Sequence, residues 1–443
     1  MKQKSFKSSP FSRLVSFSKT VAVAGGHLAA ERLERRLNNI NKKKEELDQL
    51  KHKVAAAKEI IQQMGNLKGA LMKLGQMISI TEDLVLPPEI SKLFRELQKS
   101  APPMKNEDID FVFKQSFNKS PEELFECFDR RPLAAASIGQ VHTATLKSGE
   151  KVAVKVQYPK IVNAIKSDFK NLDNLKKLLH LIFPDLPNVD SYMEELRSTL
   201  LSECDYLKEK ENIEWFRKHL VPEVEAIYIP KVFSDFTTEQ ILTMEFVEGD
   251  DYEKTKSYAQ AHKDFLGQSL YDAHMISLFK LNQMHTDPQN GNYLFKTDKI
   301  IMLDFGSVRS FPKDFMENYI NIIKSIEVQD FNLYQKSIRY LGYLEDPKDT
   351  ELLREHFILI SDLYLPYTKG GLHPIHPQNP FKMVEGFIKK VKIKDQKAPR
   401  REFLLLDRSN LGLYTKLKYW GSQIDWLTTK HKSWKAFEDK NLR

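Results

Sequence analysis

The chain has 443 residues, of which 41% are hydrophobic and 29% charged, and its formal net charge is +8. This composition is typical of a folded globular protein, and the length suits about three average domains or one large bilobal domain with an extension. Two cysteines do not indicate a disulfide framework. No stretch reaches the roughly 18 apolar residues that a membrane-spanning helix needs. The sequence therefore predicts a protein that is soluble or bound to a membrane only at its surface.

The first 115 residues differ in composition from the remainder. Residues 1–30 are basic and rich in serine, without one acidic residue. We interpret them as a flexible arm, which leaves open a plain tail, a membrane-surface arm and a transit peptide. Residues 31–115 are predicted to form an all-helical extension, because apolar residues recur every three or four positions and paired prolines end its segments. The expected location is the cytoplasm or a membrane surface, or the mitochondrion if the arm is a transit peptide.

Residues 116–247 are predicted to form a β-rich small lobe, because short runs of β-branched and aromatic residues alternate with turn residues. A helical pattern is expected over Val189–His219. The last strand runs into the turn Met244–Gly249, as in a hinge between two lobes, which makes Glu245 and Val247 candidate nucleotide contacts. The predicted strands are Phe125–Arg130, Gln140–Leu146, Lys151–Gln157, Tyr228–Phe233 and Gln240–Glu245.

Lys155 lies in the strand KVAVKVQ, on the face opposite the valines. Such a lysine is usually exposed, but here it follows a hairpin and precedes a set of metal-binding side chains. Protein kinases place at this point the lysine that contacts the α- and β-phosphates. A helix glutamate must fix that lysine, and the sequence leaves three candidates open: Glu203, Glu209 and Glu211.

The segment between the first two predicted strands, Phe125–Arg130 and Gln140–Leu146, contains Ala134, Ala135, Ala136 and Ser137, followed by a single glycine. Kinases carry a glycine-rich loop here, because glycine lets backbone N–H groups approach phosphates closely. An alanine run would make a stiffer cover for the nucleotide. A plain turn of small residues is the alternative.

Residues 248–443 are predicted to form a helical large lobe. One helix, Asp264–Met284, leads into the segment with the most chemistry, and helices resume from Pro312 with an irregular interval over Leu365–Pro380. No basic patch with interleaved aromatic residues indicates nucleic-acid binding.

The central segment, MHTDPQNGNYLFKTDKIIMLDFG, runs from Met284 to Gly306. Asp287 and Asn292 stand five residues apart, and a short apolar strand then leads to Asp304 at the start of Asp-Phe-Gly. Kinases use such an aspartate to orient the attacking hydroxyl, and such an asparagine and second aspartate to bind Mg²⁺. This order of oxygen ligands predicts a phosphoryl-transfer site that uses ATP or ADP with Mg²⁺.

These motifs together resemble the UbiB/ADCK (AarF-domain) family of atypical protein-kinase-like proteins. The resemblance covers about Gly65 to Arg309, with every motif in order. The matching segments are Lys73-Leu74-Gly75-Gln76, Ala134–Ser137, Val152–Lys155, Glu203-Cys204-Asp205, Glu209–Asn212, His285–Asn292 and Asp304-Phe305-Gly306.

The resemblance implies an α+β, bilobal protein-kinase-like fold with an all-helical N-terminal extension. It implies that Lys155 pairs with Glu209 and contacts phosphates, and that Asp287 is the catalytic acid. It also implies that Asn292 and Asp304 bind the metal. The helices with Lys73 and Gln76 would cover the peptide-binding side, with Lys73 near Glu203 and Asp205, so a small lipid-like or quinone-like acceptor is expected rather than a peptide.

One motif departs from the family pattern. The usual His-Ala-Asp-Pro-His-Pro-Gly-Asn is His285-Thr286-Asp287-Pro288-Gln289-Asn290-Gly291-Asn292 in this chain. The acid and metal positions remain, so the leading expectation is slow ATPase or small-molecule kinase activity in ubiquinone or other isoprenoid lipid metabolism. A protein kinase and a nucleotide-sensing scaffold are the alternatives.

Overall fold

The computed structural model describes residues 104–136, 138–163, 165, 189–342, 350–375 and 400–441. They form two compact units. The first runs to Lys210 and includes Val232–Phe246, and the second consists of Glu211–Lys231 and everything from Val247 onward. Lys73, Gln76, Ser137 and most of the predicted helical extension lie outside the described residues. In the described part of the chain, no helix combines the length and apolar character needed to cross a membrane.

The first unit is built on an antiparallel sheet. The strand order is β1-β3-β4-β6, with β2 also paired to β3. Strand β4 reproduces the predicted strand residue for residue, whereas the predicted strand Phe125–Arg130 shortens to β1. The elements are α1 (Asn106–Phe117), α2 (Pro121–Leu124), β1 (Cys127–Phe128), β2 (Ala134–Ala135), β3 (Gly139–Thr145), β4 (Lys151–Gln157), α3 (Val189–Glu203), α4 (Tyr206–His219) and β6 (Ile241–Glu245). Helix α4 belongs to this unit only through Lys210, and its remainder belongs to the second unit.

The core of this unit follows from strand alternation. Val152, Val154 and Val156 point to one side of β4 and are fully buried. On α1, the buried residues Ile109, Val112 and Phe113 lie at helical spacing. The α1 helix contacts β4 and β6, so the sheet and helix bury these apolar faces together.

The helical pattern predicted over Val189–His219 forms two helices, because the chain breaks between α3 and α4. Asp205 is the reason, because its Oδ1 accepts a hydrogen bond from the N–H of Lys208 at 2.9 Å and so caps the start of α4. Gln157, the last residue of β4, also stabilises the chain at this break. Its side-chain amide donates to the carbonyls of Cys204 and Glu239.

Among its described residues, the second unit combines helices with three small sheets. Strands β5, β9 and β8 form one, β7 pairs with β10, and β11 pairs with β12. The elements are β5 (Ile227–Tyr228), α5 (Gln260–Met275), β7 (Met284–His285), β8 (Tyr293–Lys296), β9 (Lys299–Met302), β10 (Val308–Arg309), α6 (Lys313–Glu327), α7 (Phe331–Tyr340), α8 (Thr350–Tyr364), β11 (Leu372–Pro374), α9 (Arg401–Trp420), β12 (Gln423–Asp425) and α10 (Thr428–Asn441).

The helix predicted over Asp264–Met284 differs at both ends. It begins earlier, and after Met275 one π-helical turn, Ile276–Leu281, ends it before β7. Asn282 adopts a left-handed φ of 49° and exchanges two hydrogen bonds with the backbone of Phe311. Asparagine tolerates this conformation better than most residues, so the helix ends here and the chain turns into β7.

Two further expectations were only partly correct. The strand predicted over Tyr228–Phe233 is limited to β5, since Pro230 has no N–H to continue the ladder. The interval after Leu365 is not wholly irregular, because β11 pairs with β12 and His373 accepts a hydrogen bond from the Trp426 indole.

A large apolar cluster stabilises the second unit. Phe315, Met316 and Ile320 of α6 are buried against residues of α7, α8, α9 and α10. Met284, the first residue of β7, belongs to this cluster. The loop that follows β7 is therefore anchored close to its start.

Candidate active site

In the first unit, Lys155 is the charged residue in the middle of β4. The flanking residues Val154 and Val156 are buried, so alternation turns Lys155 to the other face of the strand. Strand β4 is central, and Lys155 stands opposite Val141 of β3 and Leu242 of β6. A residue in a strand paired on both sides has a firmly held backbone, which fixes where its side chain starts.

Lys155 is paired with Glu209. Its Nζ donates to Oε1 at 3.0 Å and to Oε2 at 3.1 Å, and only 1% of Glu209 is exposed. Glu209 lies in the first turn of α4, where the helix dipole stabilises a carboxylate. Nζ also lies 5.1 Å from the ring centre of Tyr206. Breaking such a buried pair is costly, so the ammonium group is held in place.

The other candidate acids lie at the end of α3, just before α4, and further along α4. Glu211 is exposed on α4, and Glu203 is buried at the end of α3. Asp205 is exposed and caps α4. Whether Glu203 and Asp205 approach Lys73 stays a prediction, because Lys73 lies outside the described residues.

The alanine run is partly a strand. Ala134 and Ala135 form β2 and pair with Val141 and Gln140, while the N–H of Ala136 donates to the carbonyl of Gly139. A Cβ at Gly139 would stand 2.1 Å from the carbonyl oxygen of Val156. The single glycine therefore permits β3 and β4 to approach each other at this point.

Two further predicted nucleotide contacts lie at the end of β6. Glu245 is the last residue of this strand and stands opposite Val152, and Val247 follows two residues later. Both side chains are half-buried. Between them, the Phe246 ring lies 3.9 Å from Lys151 Nζ, so Lys151 packs over the strand end.

In the second unit, the loop after β7 presents Asp287, of which only 3% is exposed. His285 pairs with Val308 of β10, which anchors the loop at its start. Asn292 ends it, and its side-chain amide donates to the carbonyl of Asp287 at 3.1 Å. The predicted acid and the predicted metal-binding asparagine are thus joined by a hydrogen bond within one tight loop.

Thr286 stands where the family pattern has alanine, and its hydroxyl is accommodated. It lies 2.8 Å from the hydroxyl of Ser307, and the Thr286 N–H donates to the Ser307 carbonyl at the same distance. A buried hydroxyl with partners carries little cost, so this departure leaves the loop intact.

The segment Asp304-Phe305-Gly306 is held on several sides. His285 donates from Nε2 to the Asp304 carbonyl at 2.7 Å, and the Asn212 amide donates to the Phe305 carbonyl at 2.9 Å. Oδ1 of Asp304 accepts the Gly306 N–H. The Phe305 ring is fully buried, 5.0 Å from the Phe216 ring.

Asn292 and Asp304 suit a magnesium ion in their chemistry. The Leu303 N–H donates to the Asn292 carbonyl, so the backbones of the two candidate ligands run side by side at the end of the β8–β9 hairpin. Among the described residues, no group of three His, Cys, Asp or Glu side chains forms a metal cluster. Magnesium at phosphate sites needs only one or two protein carboxylates, because phosphates and water supply its remaining oxygens.

The sequence analysis missed three residues of α9 that contact this loop. Arg408 Nη2 donates to Asp287 Oδ1 at 2.6 Å, and Lys416 Nζ donates to the Pro288 carbonyl at 2.5 Å. Gly412 lies against the Pro288 ring. Their spacing of four residues puts them on one helix face. The signal available in the sequence was an arginine and a lysine on the same face among the apolar residues of α9.

Comparison with known proteins agrees with this architecture. The family model of the ABC1 atypical kinase-like domain matches residues 96–338. The solved structure of Rv3197 from Mycobacterium tuberculosis, in complex with erythromycin, is 22% identical with a TM-score of 0.56 and covers 89% of this chain and 99% of its own. The predicted α+β kinase-like fold is confirmed.

Curated relatives carry matching names. A "Probable serine/threonine-protein kinase abkA" of Dictyostelium discoideum is 30% identical over 81% of this chain and 67% of its own length. "Atypical kinase coq-8, mitochondrial" of Caenorhabditis elegans is 33% identical over 73% of this chain and 43% of its own. "Atypical kinase COQ8, mitochondrial" of Saccharomyces cerevisiae is 32% identical over 70% and 62%. The chain thus spans between 43% and 67% of the length of these relatives. The resemblance to the UbiB/ADCK proteins is confirmed, and the chain belongs to the ABC1 atypical kinase-like family.

Proposed function

We propose that the chain is a Mg-ATP-dependent atypical kinase or ATPase that acts in quinone or other isoprenoid lipid metabolism. The observation that carries this proposal is the Lys155–Glu209 pair, with Nζ 3.0 Å from a carboxylate that is almost fully buried. Burying a charge pair is rarely the most stable solution for a protein core. Its presence on a central strand is explained by a need for a positioned ammonium group that contacts phosphates.

Each remaining residue has a role in this proposal. Asp287 orients the acceptor hydroxyl or a water molecule toward the terminal phosphate, and Asn292 and Asp304 hold Mg²⁺. The ion, when bound, supplies positive charge that neutralises the phosphate oxygens. Phosphorylation forms a bond from the acceptor oxygen to the terminal phosphorus and breaks the bond to ADP, and with water as acceptor the product is free phosphate.

The lipid side of the proposal rests on the resemblance to relatives named COQ8. Those relatives are also named mitochondrial, and the basic arm of residues 1–30 lacks acidic residues as transit peptides do. We infer a mitochondrial location with contact to a membrane surface. Expression of the full chain with a C-terminal fluorescent tag tests the location, and exclusion from mitochondria would contradict it.

The catalytic test is phosphate release from Mg-ATP by the purified full chain. It is run with and without liposomes and a phenol-headed quinone-precursor mimic. Turnover that rises with lipid and disappears in Asp287→Asn supports the proposal. Asp298→Asn, an exposed aspartate in the neighbouring β8–β9 turn, is the matched control and keeps wild-type turnover.

The metal assignment has its own test. Asp304→Asn is expected to abolish magnesium-dependent binding of ATP or ADP, measured by calorimetry with and without Mg²⁺. Unchanged affinity would contradict the metal role of Asp304. Nucleotide binding by the wild type without phosphate release under any condition would favour a nucleotide-sensing scaffold instead.

A further inference from the structure

Helix α9 contacts the loop that carries Asp287 through residues that are spaced four apart on one helix face. Arg408 reaches the Asp287 carboxylate, Gly412 lies against Pro288, and Lys416 reaches the Pro288 carbonyl. All these residues belong to the second unit. They also lie beyond residues 96–338, which the family model matches. One face of α9 thus contacts both Asp287 and the residue that follows it, Pro288.

Both residues of the Arg408–Asp287 ion pair are buried. Arg408 is 9% exposed and Asp287 is 3% exposed, and Nη2 lies 2.6 Å from Oδ1. A charge-assisted bond this short is strong and directional. The guanidinium therefore holds the Asp287 carboxylate in one rotamer.

The remaining guanidinium nitrogens make the pair costly for folding. Nε and Nη1 of Arg408 are buried without a hydrogen-bond partner in the described part of the chain. A buried donor without a partner lowers the stability of the fold. Apolar side chains of similar size would avoid this cost. A residue that weakens a fold locally is most readily explained by a role in function.

We infer that Arg408 is a positioning residue for the phosphoryl-transfer reaction, and that it acts by holding the carboxylate of Asp287 in its productive orientation. This assignment rests on the proposed function. Gly412 and Lys416 support it by holding the following residue, Pro288, against the same helix. A displacement of about 1 Å in a catalytic group can reduce a rate about 100-fold, so the effect of losing Arg408 is large enough to measure.

The experiment measures kcat, KM for Mg-ATP and nucleotide affinity of the full chain with Arg408→Met and Arg408→Lys. Arg400→Met is the matched control, since Arg400 at the start of the same helix forms ion pairs with Asp314 and Glu402 away from the loop. We expect Arg408→Met to lower kcat at least tenfold, with nucleotide affinity changed less than threefold. Arg408→Lys keeps the charge without the planar fork and is expected to recover part of kcat. Arg400→Met is expected to keep it.

The outcomes separate the two proposals. If the wild-type chain releases no phosphate, the proposed function fails and the role of Arg408 falls with it. If the wild type turns over and Arg408→Met has the same or a higher kcat, only the positioning role is overturned. A parallel loss of kcat and nucleotide affinity would also overturn it, because a general structural defect predicts that pattern. Should Arg408→Met fail to fold, Arg408→Lys decides, since an unchanged kcat in that variant contradicts positioning by the guanidinium.

Discussion

Gly412→Ala tests the contact between α9 and the loop most directly. In an ordinary helix interior this change stabilises a protein by about 1 kcal/mol, because alanine restricts the unfolded chain and favours the helix. At Gly412 the same change is expected to destabilise the protein. The new Cβ would stand 2.0 Å from the Cβ and 2.3 Å from the Cγ of Pro288.

The magnitude follows from these distances. An ordinary carbon contact begins at 3.4 Å, so the helix and the loop must separate by 3.4 minus 2.0, or 1.4 Å. Overpacking of this kind costs about 1–3 kcal/mol, and stretching the buried bond from Lys416 to Pro288 adds roughly 1.5 kcal/mol. After the helix gain is subtracted, the net destabilisation is about 2.5 kcal/mol. For a unit of this size it lowers the melting temperature by about 5–10 °C.

The assay is thermal unfolding followed by circular dichroism, together with ATP turnover. Gly291→Ala is the matched control, because its new Cβ meets nothing within 4 Å although it lies in the same loop as Asp287. The control should melt within about 2 °C of the wild type. Gly412→Ala should melt lower and lose at least tenfold in kcat, since the loop is displaced. A raised melting temperature in Gly412→Ala would refute the reasoning.

Three further changes test the burial of charge. Burial lowers the pKa of Lys416 to about 7, so the unfolded state binds more protons between about pH 7 and 10. Wild-type stability should therefore rise with pH relative to Lys416→Met by about 1 kcal/mol per unit, measured from urea midpoints. Burial lowers the pKa of His274 to about 4, so stability should fall from pH 6.5 to 4. An equal fall in His274→Gln would contradict this cause. Glu209→Gln should destabilise the chain by about 3 kcal/mol, whereas exposed Glu211→Gln should change unfolding by less than about 0.5 kcal/mol. Similar effects in both would refute the pairing.

Much of the local structure could be predicted because its causes are local. Strand Lys151–Gln157 follows from alternating valines after a turn, and the β8–β9 hairpin follows from two apolar runs around a polar turn. The helix breaks were less predictable. Asp205 caps α4 and Asn282 ends the helix before β7, yet each is a single polar residue inside a helical pattern. Such a pattern alone continues the helix through these positions.

The sequence by itself determined the kinase-like family, the strand that carries Lys155 and the loop that carries Asp287 and Asn292, because short-range spacing and side-chain type encode them. Spacing left three glutamates open as the partner of Lys155, the family resemblance implied Glu209, and the tertiary structure brings the Glu209 carboxylate to Nζ. Glu209 lies 54 residues away along the chain, so this contact depends on where the first turn of α4 lies beside β4. Only the tertiary structure decided that Arg408, 121 residues from Asp287, donates to its carboxylate. Contacts over such separations are fixed by the packing of whole helices against a core, which no local pattern of residues records.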